Sequence, residues 1–137
     1  MPAAVCDSSP LVYLARVGQF RLFSLLFDLV LIPPAVWEEV TIAGRGLPES
    51  ACTHDAALKG WLQVVTPCKQ RTGIQLRSNE LGAGETQAIQ LAQERGLRLI
   101  IDETAGRSVA RQLGVQIIGT LGLLVEAKRL GHLQAVK

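Results

Sequence analysis

The chain has 137 residues, of which 48% are hydrophobic, 19% charged and 4% aromatic, a composition typical of one folded domain. We therefore expect a single domain over residues 1–137, with a core that needs no disulfide or metal to hold it together. The formal net charge of +2 excludes a uniformly basic surface, so a nucleic-acid partner would bind a local patch. Cys6, Cys52 and Cys68 form no CxxC pair, which excludes a disulfide framework and a zinc knuckle.

The first half of the chain alternates short apolar runs with segments of helical periodicity. Ser8-Ser9-Pro10 provides a cap and a first-turn proline for the first helix, and Pro33-Pro34 opens another. Residues 41–48, with two glycines and a proline, are predicted to form a loop. The other predicted elements in this half are strands 3–6, 29–32 and 61–65 and helices at 20–27 and 49–58.

The second half begins with its least patterned and most basic stretch, residues 66–80, which we expect to be a loop. Helix 84–95 follows and stops at Gly96, and Thr120 is expected to cap the last helix, which runs to residue 130. Between them lie strand 97–101, helix 104–113 and strand 115–118. This alternation predicts an α/β fold, a mainly parallel sheet with helices on both faces.

Acidic residues follow two of the predicted strands. Asp7 comes after the first strand and Asp102-Glu103 after strand 97–101, at the edge where parallel sheets bind ligands. Glu39 and Glu85 lie early in helices that open near the same edge. Gathered carboxylates with no basic neighbour repel one another unless a cation neutralises them. The pattern therefore predicts a site for Mg²⁺ or Mn²⁺, which prefer oxygen ligands.

Each acid also has a simpler interpretation. Glu85, Asp102 and Glu103 lie near predicted helix N-termini, where acidic side chains meet the helix dipole favourably, and Asp7 would suit a helix cap. Glu38 points about 100° away from Glu39 on a helix, so we expect it to face solvent. A receiver-like phosphoacceptor domain also gathers acids at strand ends, but no lysine follows a late strand near the predicted site.

Several segments, in this order, resemble the PIN domain, a family of metal-dependent ribonucleases that includes the VapC-like toxins of bacterial and archaeal toxin–antitoxin modules. The later part of the chain is similar to a subgroup of small stand-alone prokaryotic PIN proteins. The resemblance implies a three-layer α/β/α sandwich with a mainly parallel central sheet. The segments that carry it are Val5-Cys6-Asp7-Ser8-Ser9, Ile32-Pro33-Pro34-Ala35-Val36-Trp37-Glu38-Glu39-Val40, Leu81-Gly82-Ala83-Gly84-Glu85, Leu99-Ile100-Ile101-Asp102-Glu103 and Ile118-Gly119-Thr120-Leu121-Gly122.

The resemblance also implies a function and a set of site residues. It implies a Mg²⁺- or Mn²⁺-dependent endoribonuclease that hydrolyses RNA phosphodiester bonds, with the toxin of a type II toxin–antitoxin module as one role. The alternative is a non-catalytic PIN-fold module that binds RNA or protein. The metal would be held by Asp7, Glu39, Glu85 and Asp102, with Glu103 as a supporting or alternative ligand and Ser9 as polar support. Apart from the resemblance, we expect the arginines Arg107, Arg71 and Arg77 to contact phosphates at the rim of the site, with a structural ion pair as the equal alternative for Arg107.

Partners and location follow from the same residues. We expect single-stranded or structured RNA as substrate, an antitoxin protein as a partner, and a homodimer. The second predicted helix is more hydrophobic than one buried helix face requires, since it carries Phe20, Phe23, Leu26 and Phe27. We expect either a partner protein or the core to cover these side chains. The N-terminus shows no secretory pattern, and the apolar stretch 20–36 is too interrupted for a bilayer span, which predicts a cytoplasmic protein without a membrane segment.

Overall fold

A computed structural model describes residues 2–68 and 81–132, which alternate between strands and helices. The strands are β1 (Ala3–Cys6), β2 (Leu29–Ile32), β3 (Leu62–Val64), β4 (Arg98–Ile100) and β5 (Ile117–Ile118). The helices are α1 (Ser8–Arg16), α2 (Leu22–Leu26), α3 (Pro34–Trp37), α4 (Pro48–Lys59), α5 (Ala83–Arg95), α6 (Thr104–Gln112) and α7 (Thr120–Arg129), and a π-helical segment (Glu38–Ala43) continues α3.

The described strands form one parallel sheet in the order β3-β2-β1-β4-β5, with Val5 of β1 paired to Leu31 on one side and Leu99 on the other. The chain runs outward from β1 to β3 and then returns to β4 on the opposite side of β1. Its direction across the sheet therefore reverses between β1 and β4. Such a reversal opens a crevice at the carboxyl ends of the two strands, where open α/β sheets bind ligands.

Alternate strand residues face two separate cores. Cys6 and Ile100 contribute to one core with α1, α2, α3, α4 and α7, whereas Val5, Leu99 and Ile101 contribute to the other with α5 and α6. Strands that are apolar on both faces need a helical layer on each side, which is why these runs lack polar alternation. The predicted three-layer α/β/α arrangement is confirmed.

The prediction of a loop over residues 41–48 is wrong in its first part. The helix continues as the π-helical segment to Ala43, and the turn occupies only residues 44–47. Thr41 Oγ1 donates to the Trp37 carbonyl at 2.7 Å, and Ser50 Oγ donates to the Thr41 carbonyl at 3.1 Å. With its polar groups satisfied in this way, Thr41 is buried within the helix rather than released into a loop.

The predicted apolar surface on the second helix lies in the core. Phe20, Phe23, Leu26 and Phe27 are all at most 9% exposed, and the rings of Phe20 and Phe23 pack on each other and on Trp61. This burial favours the core alternative, so these four side chains do not support the predicted homodimer or antitoxin contacts. Arg71 and Arg77 lie outside the described residues. Within the described ranges, no helix is both long and apolar enough to cross a membrane.

Candidate functional site

A cavity of about 120 Å³ opens beside the carboxyl ends of β1 and β4, in the crevice that the topology creates. We call it the acidic cavity. No lysine, arginine or histidine is among the described residues that line it. Its walls are formed by Asp7, Ser8, Ser9, Glu39, Gly82, Glu85 and Glu103.

Asp7 is the most deeply buried of these acids, with 3% of its surface exposed. Its backbone N–H donates to the Ile100 carbonyl at 2.9 Å, which continues the pairing of β1 with β4 one residue past the strand and holds Asp7 at the N-cap position of α1. The pKa of Asp7 is raised from 3.8 to about 7, and burial is the largest cause. The Ser8 backbone hydrogen bond opposes this shift, whereas the nearby charges of Glu85, Glu39 and Asp102 contribute to it.

Glu85 uses its two carboxylate oxygens differently. In the first turn of α5, Oε1 accepts a hydrogen bond from the Gly82 backbone N–H at 3.3 Å, as the helix-terminus interpretation predicts. Oε2 is buried without a hydrogen-bond partner. Burial raises the pKa of Glu85, the Gly82 hydrogen bond lowers it, and the charges of Glu103 and Glu39 raise it. The helix terminus therefore accounts for only one of the two oxygens.

Two glycines leave room for these carboxylates. A methyl group on Gly84 would overlap with Oε1 of Glu39, and one on Gly106 would lie 2.8 Å from Oε2 of Glu85. From sequence, Gly84 is expected only to open a helix, and Gly106 has no expected role. Their role depends on which side chain lies opposite, and no local sequence pattern carries that information.

Asp102 serves a neighbouring helix. Its Oδ1 accepts from the Thr120 backbone N–H at 2.7 Å and its Oδ2 accepts from the Thr120 hydroxyl at 2.5 Å. The N-cap residue of α7 is Gly119, so Thr120 does not cap that helix as predicted. The cap comes instead from Asp102, because glycine has no side chain to accept these bonds. Asp102 lines the groove that adjoins the acidic cavity, whereas its neighbour Glu103 lines the cavity itself.

Arg107 lies one turn into α6, where its Nη1 donates to the Ile101 carbonyl at 2.9 Å. A methyl group built on Gly119 would lie 2.9 Å from both this Nη1 and Oδ1 of Asp102, so the guanidinium and the carboxylate share the space beside Gly119. Arg107 therefore supports the end of β4. A phosphate contact by Arg107 stays a prediction.

Comparison with known proteins identifies the fold and the family. A family model described as DUF3368: PIN domain matches residues 3–137. The chain belongs to the PIN-domain family. PIN domains are usually nucleases, which makes a nuclease the activity to test for this site. No curated protein gives a significant match.

A solved PIN-type structure has the same fold. It is a PilT N-terminus domain protein from the hyperthermophilic archaeon Sulfolobus solfataricus P2, which is 20% identical to this chain and superposes with a TM-score of 0.62. The match covers 100% of both chains. At this identity the likeness concerns the fold alone and does not carry over site residues or activity.

PIN domains generally use divalent metal ions. As placed, no three histidine, cysteine or acidic side chains in residues 2–68 and 81–132 can hold one ion together. The kind of donor nevertheless suits Mg²⁺ or Mn²⁺, because every acid offers oxygen. An ion would also give the unpartnered Oε2 of Glu85 a ligand contact and would offset the cost of burying the charge of Asp7. Glu39 and Glu103 are exposed, so their long side chains have room to rotate toward an ion.

The structure thus gathers most of the predicted site residues. Asp7, Ser9, Glu39, Glu85 and Glu103 line one cavity, while Asp102 lies beside it. Sequence reasoning missed Ser8, which also lines the cavity and whose buried hydroxyl has no hydrogen-bond partner. Its position directly after Asp7 indicates a place at the site, but the Ser-Ser-Pro pattern is also typical of a helix cap, which is the role we predicted for it.

Proposed function

We propose that this PIN domain is a Mg²⁺- or Mn²⁺-dependent endoribonuclease that hydrolyses RNA phosphodiester bonds. The observation that supports it is the convergence of Asp7, Glu39, Glu85 and Glu103 on one cavity with no basic residue in its described lining. Asp7 and the Oε2 atom of Glu85 are buried in this cluster, and burying carboxylate oxygens beside other acids is unfavourable unless a cation offsets their charge. A fold that maintains such a cluster at its ligand-binding edge is suited to hold that cation beside a phosphate.

The same four acids would hold the ion, which when bound supplies charge neutralisation at the phosphate and a water of lowered pKa. Asp7 must lose its proton before it can serve as a ligand, and its raised pKa makes this step dependent on pH near neutrality. The hydroxyls of Ser8 and Ser9 can orient a phosphate oxygen or a water at the cavity wall. Of the adjacent pair, we favour Glu103 as ligand, because both oxygens of Asp102 already accept hydrogen bonds from Thr120.

A cleavage assay tests the proposal. Purified protein with Mn²⁺ is expected to cut a 5′-labelled single-stranded RNA, and Asp7→Asn and Glu85→Gln are each expected to slow cleavage by at least roughly 100-fold. Asp55→Asn is the matched control, since Asp55 is an exposed acid on α4 that pairs with Lys59. Circular dichroism should show the same helical content in all variants. Wild-type cleavage by Asp7→Asn would refute the assignment.

One observation favours the alternative, a non-catalytic module that binds RNA or protein. Among the described residues, no three potential metal ligands lie close enough together to hold one ion, as expected for a cavity that does not bind metal. Thermal unfolding with increasing Mn²⁺ separates the two hypotheses. An ion that binds only the folded protein should stabilise it by about 2.7 kcal/mol at 100 times its Kd. No stabilisation of the wild type, or equal stabilisation of Asp7→Asn, favours the non-catalytic module.

For the cellular role, we propose a cytoplasmic toxin of a type II toxin–antitoxin module that forms a homodimer and is held by an antitoxin protein. The exposed apolar side chains Leu121, Val125 and Leu130, in and just after α7, offer contact area for such partners. Growth arrest on expression, lost in Asp7→Asn, supports the toxin role. Light scattering at monomer mass at all concentrations would contradict the homodimer.

A further inference from the structure

A groove of about 600 Å³ extends from the acidic cavity along α1. Ser8, Ser9 and Glu39 line both the cavity and the groove, so the two form one continuous surface. Beyond these shared residues, the groove follows one side of the helix. We use the name α1 groove for the part lined by Val12, Tyr13, Arg16 and Val17.

Tyr13 gives the α1 groove an exposed aromatic surface. It is the only tyrosine of the chain and is 49% exposed, in a protein with 4% aromatic residues. It lies one helical turn after Ser9, about 6 Å further along the axis from the shared wall. Val17 lies one turn further again and is 47% exposed. An aromatic ring flanked by aliphatic side chains is a surface on which an unpaired nucleobase can stack.

Arg16 adds a fixed cation to the same groove. Its Nε and Nη2 donate to the two carboxylate oxygens of Glu49, at 3.2 and 2.9 Å. Glu49 is 2% exposed, so this fork anchors the guanidinium, while the Arg16 side chain remains 54% exposed. The N–H groups of Nη1 are not part of the fork and are suited to a phosphate oxygen.

We propose that the α1 groove binds an unpaired nucleotide adjacent to the phosphate in the acidic cavity, with its base on Tyr13 and a backbone phosphate near Arg16. This inference rests on the proposed function, because the chemistry of the adjoining cavity selects nucleic acid over an apolar protein segment as the occupant. Stacking on Tyr13 requires a free base face, so the groove favours single-stranded over double-stranded RNA.

A single-residue spectroscopic signal tests the contact directly. Since Tyr13 is the only tyrosine, ring labelling gives one tyrosine resonance set in an NMR spectrum. The experiment uses the Asp7→Asn protein with Mg²⁺ and a 12-nucleotide oligouridylate, so that cleavage does not consume the probe. Stacking of a uracil is expected to move the ring resonances, and the same sequence in an RNA duplex is expected to leave them in place.

Affinity measurements provide the second arm. By fluorescence anisotropy in the same background, Tyr13→Ala should weaken oligouridylate binding by roughly 5- to 150-fold, whereas Tyr13→Phe should bind within about twofold of its parent. Leu58→Ala is the matched control, because Leu58 is an apolar side chain on α4 that is 88% exposed and does not line the groove. Arg16 is left intact, since its removal would strand the buried Glu49 carboxylate.

The outcomes separate this inference from the proposed function. Unmoved tyrosine resonances with unchanged affinity in Tyr13→Ala would overturn the α1 groove as a nucleotide site, even in an active nuclease, and would favour an apolar protein segment as its occupant. Moved resonances and weakened binding uphold it, even where no cleavage is detected with the wild type.

Discussion

Two carboxylates of this protein are almost equally buried but differ in their partners. Asp7 is 3% exposed and Glu49 is 2% exposed. Burial, helped by the acids around it, raises the pKa of Asp7 to about 7. The hydrogen bonds from the Arg16 guanidinium instead lower the pKa of Glu49. Depth alone therefore does not decide the charge of a buried acid.

The difference indicates what each carboxylate is for. The protein itself supplies a cation to Glu49, so that ion pair joins α1 to α4 within the chain. Around Asp7 it supplies further acids, and the described lining of the acidic cavity contains no cationic side chain. Glu49 is thus complete within the fold, whereas Asp7 becomes favourable only with a proton or an external cation.

The largest expected effect comes from neutralising each acid in metal-free protein. The pKa of Asp7 is raised on folding, so its contribution to stability is full below about pH 4 and is lost as the pH rises through 7. Asparagine does not ionise. Asp7→Asn should therefore match the wild type near pH 4 and become more stable by roughly 2–4 kcal/mol at pH 8. Urea unfolding across this range, in EDTA, measures the difference.

Glu49→Gln should behave in the opposite way. Because the pKa of Glu49 is lowered on folding, the stability it provides is present above about pH 4.5 and is lost as the pH falls through its folded pKa. The substitution should destabilise the protein at pH 7, and this loss should shrink in acid. If both substitutions destabilised the protein alike at pH 8, the contrast between the two acids would be wrong.

The sequence predicts one side of this comparison and not the other. Alternating apolar strands and helices imply a parallel sheet, and that topology alone brings Asp7 and the Asp102-Glu103 pair to one edge. The pairing of Arg16 with Glu49 joins residues 33 positions apart on two helices, which no local pattern specifies. Helix packing determines this pairing, so the sequence predicts a helix around Glu49 but no partner for its carboxylate.

Contacts between distant parts of the chain also explain why an element ends one or two residues from its predicted bound and why adjacent residues have different roles. The last strand is predicted over 115–118 but spans Ile117–Ile118, because only these residues pair with β4 as a strand ladder. Likewise, Asp102 and Glu103 are adjacent in sequence but divide between α7 and the acidic cavity. The hydrogen bonds from Thr120 hold Asp102 at the start of α7, and the tertiary structure brings these two residues together.

A smaller effect tests that division. Asp102→Ala removes both acceptors for Thr120 at the start of α7 and should destabilise the protein by about 1–2 kcal/mol, the usual cost of a lost cap. Glu103→Ala should leave metal-free stability nearly unchanged and weaken the stabilisation by Mn²⁺. Thermal unfolding with and without Mn²⁺ measures both quantities. Loss of the Mn²⁺ response only in Asp102→Ala would assign the ligand to Asp102 instead.

The smallest change in stability is expected for Gly84→Ala. This substitution distinguishes an effect on folding stability from an effect on metal binding in the acidic cavity. Alanine is favoured over glycine within a helix by up to about 1 kcal/mol, which offsets the new methyl group's contact with buried Val36 at 3.3 Å. The methyl group also overlaps with Oε1 of Glu39, an exposed side chain that can swing away. Stability should therefore change by less than about 1 kcal/mol, while the stabilisation by Mn²⁺ falls.

Gly82→Ala is the matched control for this substitution. It adds the same methyl group two residues earlier, where the nearest atom is Oε1 of Glu85 at an ordinary 3.7 Å. Melting curves over a Mn²⁺ titration should therefore show a weaker response in Gly84→Ala than in Gly82→Ala. Equal responses would mean that Glu39 does not help to hold the ion. The acidic cavity would then depend on Asp7, Glu85 and Glu103, and the contrast with Glu49 would rest on those three acids.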